Sequence, residues 1–201
     1  MTRKPRTAGS AVAAGEGITA DRRAELIDKA ASLFAARGYA GTSMRDIAAT
    51  FGILHGSLYH HFGSKEEMFI AVYASGVDRF LADVEAAVAH LADPWARLEA
   101  ACVAHLVALL TRDSPAAAVL ADWSSSYSAT MREALVRERD RYEKVFEELT
   151  NAVALAPGMN RRYFRLGLLG ALNGALTWYR PGRDSPAVVA RRLFAPFRPL
   201  R

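Results

Sequence analysis

Hydrophobic positions recur at the three-to-four-residue spacing of α-helices along most of the chain, starting near residue 19. The first segment ends at Gly38, a typical C-cap residue, and its apolar face consists of Leu26, Ile27, Ala30, Leu33 and Phe34. The alternation of apolar and polar residues that is typical of strands does not occur, and no internal repeat is evident. The pattern predicts an all-α protein of about nine helices.

Helix-start signals mark two of the next three segments. Ser43 and Asp46 form a capping-box pattern, so a second, short helix is predicted to begin there and to end before Gly52. A third short helix is predicted from about Leu54 to His61. The residues Ser-Lys-Glu-Glu at 64–67 form a second capping box, whose serine and last glutamate are expected to satisfy two backbone N–H groups reciprocally. The helix that it opens is long and amphipathic.

Proline at the first helical position, where its missing N–H costs nothing, marks three later starts at Asp93-Pro94, Ser114-Pro115 and Ser185-Pro186. A turn at Ala156-Pro157-Gly158 precedes an unusually apolar helix over residues 160–179. The chain is therefore predicted to comprise a flexible basic arm (1–18), a compact three-helix domain (19–65) and a larger helical body (66–201).

Composition narrows the class of protein. With 201 residues, of which 51% are hydrophobic and 23% charged, the chain can bury a substantial core. The single cysteine excludes an internal disulfide framework, and neither a secretion signal nor a run of ~20 apolar residues is present. These features predict a soluble, cytoplasmic protein.

Charge adds a candidate partner. The formal net charge is +5, and residues 1–65 hold nine basic groups against five acidic ones. Such asymmetry is typical of proteins that bind a polyanion, although it also serves solubility.

Residues 43–62, SMRDIAATFGILHGSLYHHF, match a helix-turn-helix, in which the second helix lies in the major groove of DNA. Apolar residues of both helices would set the angle between them, and Gly52 permits the positive φ of the turn. The exposed face of the second helix and the basic and polar residues around it then form the predicted DNA-contacting set: Thr42, Ser43, Arg45, His55, Gly56, Ser57, Tyr59, His60 and Lys65.

The stretch AASLFAARGYAGTSMRDIAATFGILHGSLYHHFGSKEEMFIAVY resembles the DNA-binding domain of TetR-family transcriptional regulators. The resemblance implies that the DNA backbone is contacted by Thr42, Arg45, Tyr59, His60 and Lys65. It also implies that His55 and Ser57 read bases. Leu54 departs from the family, which often has serine or threonine at this place, so the third helix is expected to start differently.

Three glycines, Gly167, Gly170 and Gly174, line one stripe of the apolar helix over 160–179. Glycine inside a helix costs roughly 0.5–1 kcal/mol relative to alanine, so a close helix–helix approach is expected there. We predict a dimer interface formed by this helix and the last one around a two-fold axis. Close packing within one subunit is the alternative.

Polar and aromatic groups interrupt the otherwise apolar helices of the body. They are predicted to line a ligand cavity, with plain core packing as the alternative, and they are Cys102, His105, Trp123, Tyr127, Tyr142 and Trp178. No metal site is predicted, because the histidines at 55, 60 and 61 are not spaced to share one helical face. No cofactor is expected.

The family resemblance implies a dimeric, ligand-responsive repressor of a palindromic operator that a small hydrophobic effector releases. The segments GILHGSLYHHFGSKEEM and TWYRPG are similar to a branch that controls steroid and other acyl-CoA catabolism, which implies an acyl-CoA thioester as effector. An enzyme is disfavoured, since no nucleophile elbow, phosphate-binding loop or zinc-protease motif is present. The alternative is a helical ligand-binding or adaptor protein without DNA affinity. In such a protein no common function would account for Thr42, Tyr59, His60 and Lys65.

Overall fold

The computed structural model describes residues 20–110 and 127–199. The predicted arm over residues 1–18 and the predicted helix start at Ser114-Pro115 lie outside the described residues. Within them the chain forms eight α-helices and a short 3₁₀ turn at Ala195–Phe197: α1 (Ala20–Arg37), α2 (Met44–Phe51), α3 (His55–Tyr59), α4 (Lys65–Val88), α5 (Pro94–Leu110), α6 (Ala129–Ala152), α7 (Arg161–Trp178) and α8 (Pro186–Phe194). The all-α prediction is confirmed.

Local signals end α1 and bound α2 as predicted. Gly38 adopts a φ of 69° after α1, and its N–H donates to the Phe34 carbonyl over 2.8 Å. At the start of α2, Ser43 Oγ accepts the Asp46 N–H, while the Asp46 carboxylate accepts the Ser43 N–H over 2.9 Å. Gly52, with a φ of 64°, ends α2 in the left-handed conformation that glycine tolerates best.

The two following helix starts differ in detail from the prediction. Helix α3 is shorter than expected and begins after Leu54, which caps it with backbone only. At α4, Ser64 Oγ accepts the Glu67 N–H as predicted. The Glu67 carboxylate, however, accepts the N–H of Gly63 over 2.7 Å instead of that of Ser64. The second bond of the expected capping box is therefore shifted by one residue, from the N–H of Ser64 to that of Gly63, because the long glutamate side chain reaches beyond the N-cap.

Two arginines close the C-terminal ends of the preceding long helices. Arg97 donates to carbonyls at and just beyond the end of α4, and Arg161 donates to the Thr150 and Val153 carbonyls at the end of α6. A guanidinium suits this place, because the last carbonyls of a helix lack intrahelical partners and carry partial negative charge. These contacts fix the turns after α4 and α6.

Two hydrophobic clusters make up the core, and α4 belongs to both. The first cluster joins α1–α3 to the first half of α4 and to the start of α6, whereas the second joins the remainder of α4 to α5–α8. The first cluster therefore runs across the boundary predicted at residue 65. Because α4 is shared, a movement of its second half would reach the N-terminal helices. No helix among the described residues is long and apolar enough to cross a membrane.

Candidate nucleic-acid interface

The angle between α2 and α3 is held by buried apolar side chains. Ile47, Leu58 and Phe62 are fully buried, Ala48 is nearly so, and Ile53 is half-buried in the turn. This is the inward-facing set that the helix-turn-helix pattern requires. Burial of these residues leaves the opposite side of α3 facing outward.

A surface recess of about 490 Å³ lies where α2, α3 and the start of α4 meet. Met44 and five of the predicted DNA-contacting residues line this recess. The five are Ser43, Arg45, His55, Tyr59 and Lys65. Arg45 and Lys65 place two cationic side chains beside it. The chain thus brings these residues, which are up to 22 positions apart, to one basic surface.

The aromatic side chains of α3 stand at this surface. Tyr59 is 45% exposed, and its ring meets the ring of His55 edge-on with centroids 4.9 Å apart. His60 is exposed, and a Cβ added to Gly56 would meet nothing within 4 Å, so a groove wall can approach the backbone there. Ser57 is half-buried. The exposed aromatic and histidine side chains are thus available to a duplex, while their contacts with DNA stay a prediction.

Lys65 is held in place by the first core. Its Nζ donates to the Tyr39 carbonyl over 2.9 Å and lies 4.1 Å from the centroid of the Tyr39 ring. An ammonium group has three donors, so this anchoring leaves donors for an anion at the recess. The lysine is half-buried, which restricts it to one edge of the surface.

Thr42 is placed differently from the prediction. Its side chain is 1% exposed, and its hydroxyl donates to the Gly38 carbonyl over 2.9 Å. The Thr42 hydroxyl therefore closes the turn between α1 and α2 and is not exposed to a phosphate, whereas a phosphate contact through the backbone N–H groups at this helix start stays a prediction. Met44, buried beneath the recess, is a lining residue that the predicted set omitted, since its apolar side chain only indicated core packing.

In the helical body, three of the six predicted cavity residues come together. His105 Nδ1 lies 2.6 Å from the Tyr142 hydroxyl, and His105 Nε2 lies 2.9 Å from Asn173 Oδ1. Since the amide oxygen only accepts, Nε2 carries the proton and Nδ1 accepts the tyrosine O–H. Burial lowers the pKa of His105 from 6.5 to about 4, so the ring is neutral near pH 7. The network joins α5, α6 and α7.

Cys102 is the third of these residues, and it is fully buried. Burial raises the pKa of its thiol well above the ordinary value, which keeps the sulfur protonated and unreactive. Burial also raises the pKa of the Tyr142 hydroxyl, and the neighbouring Cys102 adds to the effect. This arrangement is that of a packed polar contact within the second cluster.

The other three predicted cavity residues do not join them. Tyr127 is buried in the first cluster, edge-on to Tyr39 with ring centroids 5.4 Å apart, so it packs away from the His105 network, and its assignment to a ligand cavity stays a prediction. Trp178 is 52% exposed at the end of α7 and does not line an interior cavity. Trp123 lies outside the described residues. Helical periodicity shows that such residues have a buried face but not which cluster buries them.

Two apolar recesses do occur in the described part of the body. One, of about 400 Å³, lies between α4, α5 and α6 and is lined by Leu81, Val84, Glu85, Val88, Arg97, Val145, Glu148, Leu149 and Ala152. The other, of about 510 Å³, lies between α4, α5 and α8 and includes Ala100, Val103, Ala104 and Val107. None of the predicted cavity residues lines either recess. Ordinary aliphatic residues carry no distinctive sequence signal, so the prediction missed them.

The three glycines of α7 divide into two groups. A Cβ on Gly167 would lie 3.6 Å from the Phe197 ring, which is ordinary van der Waals contact within the chain, and the glycine is exposed, so its place in a dimer interface stays a prediction. A Cβ on Gly170 or Gly174 would meet nothing within 4 Å. Large apolar side chains are exposed on the same helix, among them Tyr163 at 71%. Across residues 20–110 and 127–199, no three His, Cys, Asp or Glu side chains cluster to hold a metal ion.

A helix-turn-helix with an outward basic recess, joined through a shared helix to an all-α body, defines a DNA-binding transcription regulator. Residues 26–72 match the family model described as bacterial regulatory proteins of the tetR family, and residues 91–197 match the Tetracyclin repressor-like C-terminal domain. The chain belongs to the TetR family, which is a family of regulators and not of enzymes.

Three comparisons illustrate the relationship. The HTH-type transcriptional repressor KstR2 of Rhodococcus jostii is 36% identical over 174 residues, covering 80% of this chain and 81% of the relative. The solved structure of the ketosteroid transcriptional regulator KstR2 of Mycobacterium tuberculosis matches with a TM-score of 0.69 and 28% identity, over 90% and 95% of the two chains. AibR in complex with isovaleryl coenzyme A and operator DNA shares the fold, with a TM-score of 0.74, 24% identity and coverage of 87% and 97%.

Proposed function

We propose that the protein is a cytoplasmic repressor that binds a palindromic operator as a dimer and is released by an acyl-CoA thioester. The observation that carries the DNA-binding part is the exposed recess formed by Ser43, Arg45, His55, Tyr59 and Lys65. Arg45, Tyr59, His60 and Lys65 contact phosphates, while His55 and Ser57 face base edges. The repressor relatives named KstR2 support the direction of regulation.

The test of this function is a selection of bound duplexes from a random pool, followed by release with candidate thioesters. A palindromic consensus is expected, because a two-fold dimer presents two copies of α3 to two half-sites. Enrichment of no duplex would contradict DNA binding. A consensus with a single, unrepeated site would contradict the dimer alone.

Arg45→Ala is expected to weaken binding to all sequences alike, by roughly tenfold, because a charged contact to phosphate is lost. The slope of log affinity against log salt concentration should fall by about 1. Arg137→Ala, which removes another exposed arginine, on α6, serves as the matched control and should change neither quantity. Fluorescence anisotropy at several salt concentrations measures both. A loss confined to the selected sequence would place Arg45 on bases instead of phosphate.

The dimer part rests on α7. Gly170 and Gly174 offer open backbone surface, and Tyr163, Leu166 and Trp178 expose apolar area on the same helix. Exposed apolar groups beside small residues are what a closely packed helix–helix interface requires. We place α7 and α8 of each protomer in a four-helix arrangement around the two-fold axis.

The effector part rests on the apolar recess between α4, α5 and α6. Its aliphatic lining suits an acyl chain, and it touches the half of α4 that belongs to the second cluster. Binding there would shift α4 and so change the spacing of the two α3 helices. The complex of AibR with isovaleryl coenzyme A supports an acyl-CoA thioester as the class of ligand.

Val145→Trp, which fills this recess, is expected to raise the acyl-CoA concentration needed for release by roughly tenfold or more, with operator affinity kept. Ala104→Trp fills the other recess and is the matched control. Fluorescence anisotropy monitors release of the operator by thioesters of increasing acyl length. Free coenzyme A serves as the ligand control. If Ala104→Trp blocked release and Val145→Trp did not, the recess assignment would be wrong.

A further inference from the structure

Among the large hydrophobic side chains that the structure describes, Leu54 is the most exposed, at 80%. Single exposed leucines are common on protein surfaces and need no explanation by themselves. The position of this one is unusual, because it immediately precedes the helix whose outer face borders the basic recess.

Leu54 serves neither the helix nor the core of the protomer. It occupies the N-cap of α3, where a serine, threonine, asparagine or aspartate side chain would accept a backbone N–H, and it makes no such bond. Leu58, four residues later, is fully buried, whereas the side chain of Leu54 is turned to solvent by its extended backbone at φ −66° and ψ 138°. An exposed apolar side chain that neither caps α3 nor joins the core thus lies immediately before the helix that borders the recess.

The next residue links Leu54 to the recess. His55 lines it, with its ring against that of Tyr59. When a recognition helix enters the major groove, its N-terminal residues meet base edges. The edges there carry hydrogen-bond donors and acceptors, which leucine cannot use, and one apolar group, the C5-methyl of thymine.

We propose that Leu54 is a specificity-determining residue that packs against a thymine methyl group in each half-site of the operator. The inference rests on the proposed DNA-binding function and deepens it. Under this proposal the operator sequence is recognised by an apolar contact of Leu54 in addition to the polar contacts of His55 and Ser57.

The test uses the duplex obtained by selection. Each thymine is replaced in turn by deoxyuridine, which lacks only the methyl group, and affinities are measured for the natural protein and for Leu54→Ala. At one position in each half-site the natural protein should lose roughly fourfold in affinity, the value of one buried methyl-sized group. Leu54→Ala should lose nothing further at that position, so the two changes are coupled.

Val107→Ala, an exposed aliphatic residue on α5, is the control and should keep every deoxyuridine penalty of the natural protein. Circular dichroism should show unchanged helicity for Leu54→Ala, because its side chain contributes little to the core. Equal penalties in Leu54→Ala and the natural protein at every position would overturn the proposal, as would the absence of any penalty. Failure of the natural protein to bind any duplex would overturn the proposed function itself, and would be seen before any thymine is changed.

Discussion

Replacing Gly170 with arginine is expected to leave each protomer folded but to convert the dimer to a monomer and weaken operator binding by roughly a hundredfold or more. A Cβ at this exposed position meets nothing within 4 Å in the protomer, so the longer side chain is expected to extend into solvent and leave the fold intact. A dimer interface in which two α7 helices pack against each other at this glycine would have no room for the arginine side chain. A monomer reads one half-site, and the gain from simultaneous binding of two is lost.

Sedimentation equilibrium gives the mass, and anisotropy with the selected duplex gives the affinity. Ala86→Arg adds the same side chain to an exposed position of α4 and is the control for the added charge. It should remain dimeric with unchanged affinity. A Gly170→Arg protein that stayed dimeric and bound the operator normally would remove α7 from the interface.

Stability is expected to fall as the pH drops from about 6.5 to about 4 because of His105. Burial lowers the pKa of this histidine from 6.5 to about 4 in the folded protein, so in this window the unfolded chain binds a proton that the folded one does not. The contribution of neutral His105 to the free energy of unfolding is fully present above pH 6.5 and is lost progressively as the pH falls to 4. Its size is about 3 kcal/mol, from a pKa difference of roughly two and a half.

Urea unfolding at fixed protein concentration, repeated from pH 7 to pH 4, measures this change. Carboxylates also titrate in this range, so the informative quantity is the difference between the natural protein and His105→Gln, which should lose much of the pH dependence. His90→Gln removes an exposed histidine and should behave as the natural protein does. Parallel pH profiles for the natural protein and His105→Gln would show that the buried ring does not control acid stability.

The helix-turn-helix was predictable because its signals are local. The Ser43–Asp46 capping box and the Gly52 turn each act over three or four residues, and both are present where expected. Tyr59 and His60 follow from the same logic, since one turn of helix fixes that they are exposed once Leu58 is buried. Arg45 is also exposed, next to the buried Met44.

Local sequence signals did not predict the hydrogen-bond partners of Thr42 and Lys65. Both were expected at the DNA surface because of their positions next to helix starts. The Thr42 hydroxyl instead donates to the Gly38 carbonyl, whereas Lys65 does line the recess but is anchored there by a bond from its Nζ to the Tyr39 carbonyl, 26 positions away. These partners exist only after α1, α2 and α4 have packed, and they decide whether a polar group is exposed or already bonded.

The amino-acid order by itself determined the all-α class, most helix starts and ends and the DNA-reading motif, because backbone capping and apolar periodicity act between residues close in the chain. Only the tertiary structure decided which cluster buries Tyr127, which glycines of α7 stay open, and that His105 meets Tyr142 and Asn173, 37 and 68 positions away. Periodicity reveals that a face is buried. The partner of that face is set by how the helices pack against one another.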